Sequence, residues 1–335
     1  MIQIASGGDN PVLEENALKM PPESTGMPKC TVGPIRGARC ACALLRTSKP
    51  GIVTAELAAC LAGMLLATSS APDVSRLYLV MLCVALAASG AAMANCLIEE
   101  AGDRLMPRLA LRSQALDQVG GRVVRTVAAL LMGTSLALAV IFINTLTMML
   151  LGAALFLYLF VYTTLLKRTS PLSVLAGGIP GALPPVIGAA AAGSVTAAPL
   201  LLAVLIYAWQ LPHFWFLALQ CRDQYQQAGV PVFPLVYGEN ITRKLIVAGN
   251  VLIIPLSLII PVFFTKSVFC SMLMLMIGII HVFSSVWAVK NRSRYRLGFL
   301  FSLAYLAIML SLLITDVVVQ QQWHLFAGFI HGIHS

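Results

Sequence analysis

Residues 123–166 read VVRTVAALLMGTSLALAVIFINTLTMMLLGAALFLYLFVYTTLL, and Arg125 is the one charged residue among them. The stretch divides into two apolar runs, 123–143 and 146–166. Each has the roughly 20 residues a helix needs to cross the hydrocarbon of a bilayer, twice what a membrane strand needs. Neither shows the strict in–out alternation of a membrane strand. Both are therefore read as transmembrane helices.

Working outward, the same pattern recurs at 51–68, 77–98, 172–193, 198–220, 245–265, 268–289 and 297–319, giving nine apolar stretches. The fifth of the nine, 172–193, is crowded with Gly177, Gly178, Pro180, Gly181, Pro184 and Pro185. It is predicted to be kinked or broken, which a membrane tolerates where neighbouring protein satisfies the freed backbone groups. Composition agrees: 59% of the 335 residues are hydrophobic and 10% charged, against about 45–50% and about 25% in soluble domains. A soluble enzyme, a disordered chain and a disulfide scaffold are excluded. The fold expected is an all-α polytopic membrane bundle over 45–320. Before it, 1–44 reads as a disordered cytoplasmic tail, and after it 321–335 as a short non-cytoplasmic tail.

The net charge of +9 is not a nucleic-acid footprint, because its carriers follow the positive-inside rule. Twenty of the 22 Lys and Arg residues fall before the first span or after spans two, four, six and eight; Arg76 and Lys266 alone fall on the other side. Nine spans with the amino terminus inside give this split. The early residues lack the apolar core of a signal peptide. Asp9, Glu14, Glu15 and Glu23 also depart from an acid-poor transit sequence. A bacterial inner membrane is thus expected, with the mitochondrial inner membrane as the alternative. The eight cysteines form no C-x-x-C pair, and those in apolar runs read as small hydrophobes.

Acidic residues number 13, so their placement is informative. Asn95, Glu99 and Asp103 are spaced four apart and share one helix face at the inner end of span two. Carboxylates with an amide oxygen are hard ligands suited to Mg²⁺, which one or two carboxylates usually hold together with substrate phosphates. Arg104, Arg108 and Arg112 follow with the same interval of four and suit anionic oxygens. A charged helix end at the headgroups would show the same spacing. A second inner cluster runs from His213 to Arg222, Asp223 and Tyr225. Asp223 reads either as a metal ligand or as a partner for Arg222. A histidine inside a span is a functional candidate, and a core histidine bonded to a carbonyl is the alternative.

These residues carry a resemblance. YTTLLKRTSPLSVLAGGIPGALPPVIG at 162–188 resembles the UbiA superfamily of intramembrane prenyltransferases. SKPGIV at 48–53, the N-x-x-x-E-x-x-x-D-x-L-M-x-R run from Asn95 to Arg108, LPHFW at 211–215 and DQYQQAGVPVFP at 223–234 resemble its protohaem IX farnesyltransferase branch. The family pattern has acids where Ala101 and Gln224 stand here, and Thr169 shortens its basic loop. The resemblance implies a bundle with a central cavity that moves a farnesyl group from farnesyl diphosphate to a vinyl group of haem b, making haem O. It implies Mg²⁺ held with diphosphate by Asn95, Glu99, Asp103 and Asp223. Arg108, Arg112, Lys167, Arg168 and Tyr225 would contact substrate, and His213 would act on the haem side or the cation side. Haem A synthase or a terminal oxidase would be the assembly partner. Two other readings remain: a UbiA-type prenyltransferase with a quinone or chlorin acceptor, or a non-enzymatic paralogue in haem handling.

Overall fold

A computed structural model describes residues 34–68 and 72–333, and every regular element among them is helical. In chain order the α-helices are α1 (Pro34–Thr47), α2 (Pro50–Leu66), α3 (Val74–Ile98), α4 (Glu100–Asp103), α5 (Ala110–Val119), α6 (Gly121–Phe142) and α7 (Thr145–Phe156). They continue with α8 (Ser173–Ala182), α9 (Pro184–Ala192), α10 (Ala197–Gln220), α11 (Arg222–Gln227), α12 (Phe233–Val236), α13 (Glu239–Ile259), α14 (Val268–Val289) and α15 (Tyr295–Ile333). Eight spans among the described residues are long and apolar enough to cross a membrane, and α1 with α2, bent by 57°, makes a ninth. The chain is a multi-pass membrane protein.

The apolar stretches map onto these helices, and the fifth is broken as expected. Pro184 and Pro185 have no N–H to donate, so α8 stops at Ala182 and the N–H of Leu183 reaches back to the Pro180 carbonyl at 3.3 Å. Side chains of α10 bond carbonyls of α8: Tyr207 Oη donates to Leu175 at 3.0 Å and Gln210 Nε2 to Gly178 at 3.2 Å. The second half, α9, is almost wholly buried and crosses α2 at close range. Gly63 and Gly188 make the crossing possible, because a Cβ on either would stand 2.0 Å from the Pro185 carbonyl oxygen or 2.1 Å from that of Cys60. Small residues let membrane helices approach in this way.

The tails need correction. Residues 1–33 lie outside the described residues, but from Pro34 the expected disordered extension is helix. Buried Ala43 and half-buried Leu44 pack with Ala115 and Leu116 of α5, which pays for ordering α1. At the other end, the expected boundary at 320 falls inside α15, which runs unbroken to Ile333.

Candidate active site

Three local features bring the polar groups together. The first is the end of α3, where Asn95 and Glu99 emerge at the last turn and the single turn of α4 carries Asp103 inward; all three are buried. The second is the ten-residue π-helix Leu157–Leu166 that continues α7. Its wide turns, marked by Thr163 Oγ1 donating to the Tyr158 carbonyl at 2.8 Å and the Lys167 N–H to the Tyr162 carbonyl at 2.9 Å, direct Tyr158, Tyr162 and Lys167 to the same cavity. Such segments are frequent at functional sites. The third is Lys49, held at φ 54° and ψ 60° between α1 and α2. That left-handed conformation costs a non-glycine residue about 1–3 kcal/mol.

The groups meet in one network. Lys167 Nζ stands 2.5 Å from Glu99 Oε1, and Arg112 Nη2 2.9 Å from Asp103. The Asn95 carbonyl oxygen accepts from Lys49 Nζ at 2.6 Å and from Arg112 Nη2 at 3.1 Å, while its amide donates to Thr163 Oγ1 at 3.2 Å. Arg108 Nη2 donates to Tyr225 Oη at 3.0 Å, with the guanidinium 5.2 Å from the ring centre. Burial works against the ionised Glu99 carboxyl, but Lys167 outweighs it and holds the group below its ordinary value. Burial, with repulsion from Glu99, raises Asp103 despite Arg112.

This network forms the polar end of a cavity of about 520 Å³. Away from it the wall is built by Val84, Ala87, Ala88, Leu151, Leu155 and Ile187, an apolar pocket for a hydrocarbon chain. Glu56 of α2, Tyr158, Tyr162, Gln210 and His213 add polar groups to the cavity wall from the span interiors.

The cavity gathers Asn95, Glu99, Asp103, Arg108, Arg112, Lys167, His213 and Tyr225 from the sequence expectation. Two expected positions fall outside and are corrected. Asp223 has a side chain 79% exposed and lies 3.7 Å from Arg222, because it stands two residues, about 200° around α11, from the buried Tyr225 that faces the cavity. Arg168 is exposed and absent from the wall, since it follows Lys167 by one residue and points away. Sequence reasoning assigned no role to Glu56, Tyr158, Tyr162 or Gln210, and used Lys49 for topology and within the SKPGIV motif without giving it a role. The placement of Lys49 next to Pro50 at the start of a span was its available signal; the tyrosines depended on the π-helix.

The donor set can be tested against a divalent cation. Among the described residues no three His, Cys, Asp or Glu side chains converge as a metal cage. Glu99, Asp103 and the Asn95 amide do stand together at the cavity's polar end. Two carboxylates and an amide oxygen, with phosphate oxygens completing the shell, fit how Mg²⁺ is usually bound.

The UbiA prenyltransferase family matches residues 57–327. A protoheme IX farnesyltransferase of Geotalea uraniireducens is 38% identical over 260 residues, 76% of this chain and 98% of that protein. Another, of Aquifex aeolicus, is 35% identical over 280 residues, covering 81% and 94%. Among solved structures, a UbiA homologue from Aeropyrum pernix K1 has a TM-score of 0.65 at 20% identity, over 79% of this chain and 97% of that one. A UbiA homologue from Archaeoglobus fulgidus bound to GPP and Mg²⁺ has a TM-score of 0.62 at 16% identity, over 84% and 99%. At those identities the two structures speak to the fold.

Proposed function

The chain belongs to the UbiA prenyltransferase family, and from that premise we propose that it joins the farnesyl group of farnesyl diphosphate to a vinyl carbon of haem b, consuming water and releasing haem O and diphosphate. The observation that carries this reading is a cavity with one cationic, carboxylate-bearing end and one apolar end. A prenyl diphosphate is divided in the same way.

The cationic end receives the leaving group. Lys49, Arg108, Arg112 and Lys167 all border it, and guanidinium groups take phosphate oxygens in charge-assisted, often paired hydrogen bonds. Charges fixed in place before the carbon–oxygen bond breaks stabilise the negative charge that develops there without reorganising. Asn95, Glu99 and Asp103 would hold Mg²⁺ beside the diphosphate. When bound, that ion supplies a Lewis acid for the departing oxygens. Lys167 and Arg112 keep the two carboxylates paired in the buried site. The alanine-lined apolar wall excludes water from the reacting allylic carbon until the vinyl group has attacked it.

The charge distribution supports an amino terminus on the cytoplasmic side of a bacterial plasma membrane, in keeping with the bacterial relatives. Labelling of single cysteines should reach the 221–238 segment from inside and Lys266 from outside; both on one side ends this orientation.

Expression in a cell lacking its own haem O synthase, followed by haem extraction, tests the reaction. Haem O is the expected product. A chain that inserts in the membrane and leaves only haem b refutes the reading. A different prenylated acceptor moves the chain to another branch of the family.

A further inference from the structure

One imidazole borders the cavity, and its surroundings fix which of its nitrogens is free. His213 lies on α10, sandwiched between Trp209 and Phe299 with ring centres 4.5 Å and 4.4 Å away. Its Nδ1 stands 2.5 Å from Ser302 Oγ. The Ser302 hydroxyl donates its single hydrogen to the Phe299 carbonyl at 2.8 Å. The contact with Ser302 engages Nδ1. In the neutral tautomer that carries its hydrogen there, Nε2 offers a bare lone pair.

Nothing among the described residues donates to that nitrogen, and His213 lines the cavity. The mount is rigid as well: Trp209 Nε1 donates to the Ser302 carbonyl at 3.0 Å, tying α10 to α15 at the level of the ring. An imidazole held by two aromatic faces, with one nitrogen tied to a neighbour and the other bare, is how proteins prepare a metal ligand.

We propose that His213 ligates the iron of the haem substrate through Nε2. The proposal rests on haem b being the acceptor. It answers a positioning problem that the apolar wall cannot solve. A flat macrocycle slides and rotates freely between hydrocarbon surfaces, whereas the reaction needs one vinyl carbon within reach of the farnesyl C1. A bond from a fixed nitrogen to iron places the centre of the disc. Histidine is the commonest single axial ligand for that purpose. Competing ligands on the wall are engaged or ill suited. Met106 receives Arg108 Nη2 at 3.6 Å, Tyr225 also receives Arg108, and Glu99 and Asp103 are paired with cations; Glu56 is the one carboxylate of the wall without a cation beside it among the described residues, and it is a hard oxygen donor less suited than imidazole to haem iron. The other buried histidine, His281, contacts Asn250 and Tyr305 and does not border the cavity.

The test is spectroscopic and uses the full chain in detergent or nanodiscs, titrated with ferric haem b. The wild type should show the absorption and electron-paramagnetic-resonance signature of imidazole-ligated haem. His213→Ala should lose that signature and bind haem at least tenfold more weakly, with added imidazole restoring the spectrum. Iron-free protoporphyrin IX should bind wild type and variant alike, because the variant removes only the bond to iron. Farnesyl diphosphate affinity, unchanged in His213→Ala, reports an intact fold. Identical haem spectra in wild type and variant overturn the ligand while leaving the reaction itself untouched if wild type still makes haem O. Loss of haem O by the variant with an unchanged spectrum also overturns it, and assigns Nε2 to proton transfer. A wild type that neither binds haem b nor forms haem O overturns both the ligand and the acceptor on which it rests.

Discussion

Two clusters of acids and arginines sit side by side, linked by the Arg108–Tyr225 hydrogen bond, and they are built for opposite purposes. Around α3 and α4, the Glu99 and Asp103 side chains are 8% and 9% exposed; each has one cation at hydrogen-bond distance and borders the cavity. Around α11 and α13, one carboxylate serves three arginines. Glu239 accepts from Arg243 at 2.8 Å and pairs with Arg292, while Arg222 lies 3.8 Å away; Asp223 and Arg292 are 79% and 63% exposed. The residue types are the same. What separates a ligand-facing cluster from a staple between loops is where the carboxylates face. Surface ion pairs contribute about 0–1 kcal/mol, whereas a buried pair opened by a substrate keeps its charges available to that substrate.

Lys167→Ala strikes the comparison hardest. It removes a cation from the diphosphate end and strands Glu99 in a buried site. The loss in haem O formation should be about 10²–10³-fold, the size seen when one pre-placed electrostatic donor is deleted. Lys167→Arg should recover part of it. A loss under threefold, measured on membranes with equal amounts of inserted protein, would remove the functional distinction between the clusters.

The next contrast sets Asp103→Asn against Asp223→Asn. The first removes a charge from the cavity's polar end and should reduce activity about 10–100-fold, with the Mg²⁺ requirement raised. The second alters an outward side chain and should stay within about twofold, as is usual for substitutions at exposed sites. Equal effects at saturating Mg²⁺ would return Asp223 to the site.

That pair also marks where the sequence is legible. Spans of about 20 apolar residues and the charge asymmetry report directly on the bilayer, so the helices and the break at Pro184 and Pro185 are readable from residue type alone. The Asn95–Glu99–Asp103 stripe is readable because helical spacing fixes a face. Asp223 resisted the same reading because α11 begins a fresh helix after Cys221, and its rotation relative to α10 is set by tertiary packing. Tyr158 and Tyr162 were hidden by the π-helix, whose phase no α-helical periodicity describes. Nor does the run ALLRT reveal that its Ala43 and Leu44 dock on α5.

Glu239→Gln tests the staple side. Removing the charge that three arginines share should lower stability by about 1–2 kcal/mol, allowing for solvent screening of the exposed Arg292. Farnesyl diphosphate affinity and the Mg²⁺ requirement should stay within about threefold, because Glu239 does not border the cavity. A thermal midpoint that stays put while substrate affinity falls would reverse the two roles.

The smallest effect is expected at Ala101, where the family pattern places an acid. Restoring it as Ala101→Asp adds a hard ligand to the motif on paper. The geometry sends the new carboxylate elsewhere. At about 100° per residue, position 101 stands about 200° from Glu99 and from Asp103, and Ala101 is exposed on the single turn of α4. Its neighbour Glu100 already looks outward, paired with Arg104, which in turn binds Asp117. A carboxylate at 101 therefore joins the solvated charges of the rim. The Mg²⁺ concentration for half-maximal haem O formation should change by less than twofold. A fall of fivefold or more would show that α4 turns inward when diphosphate and metal arrive. The line between the buried cluster and the rim would then shift with what the cavity holds.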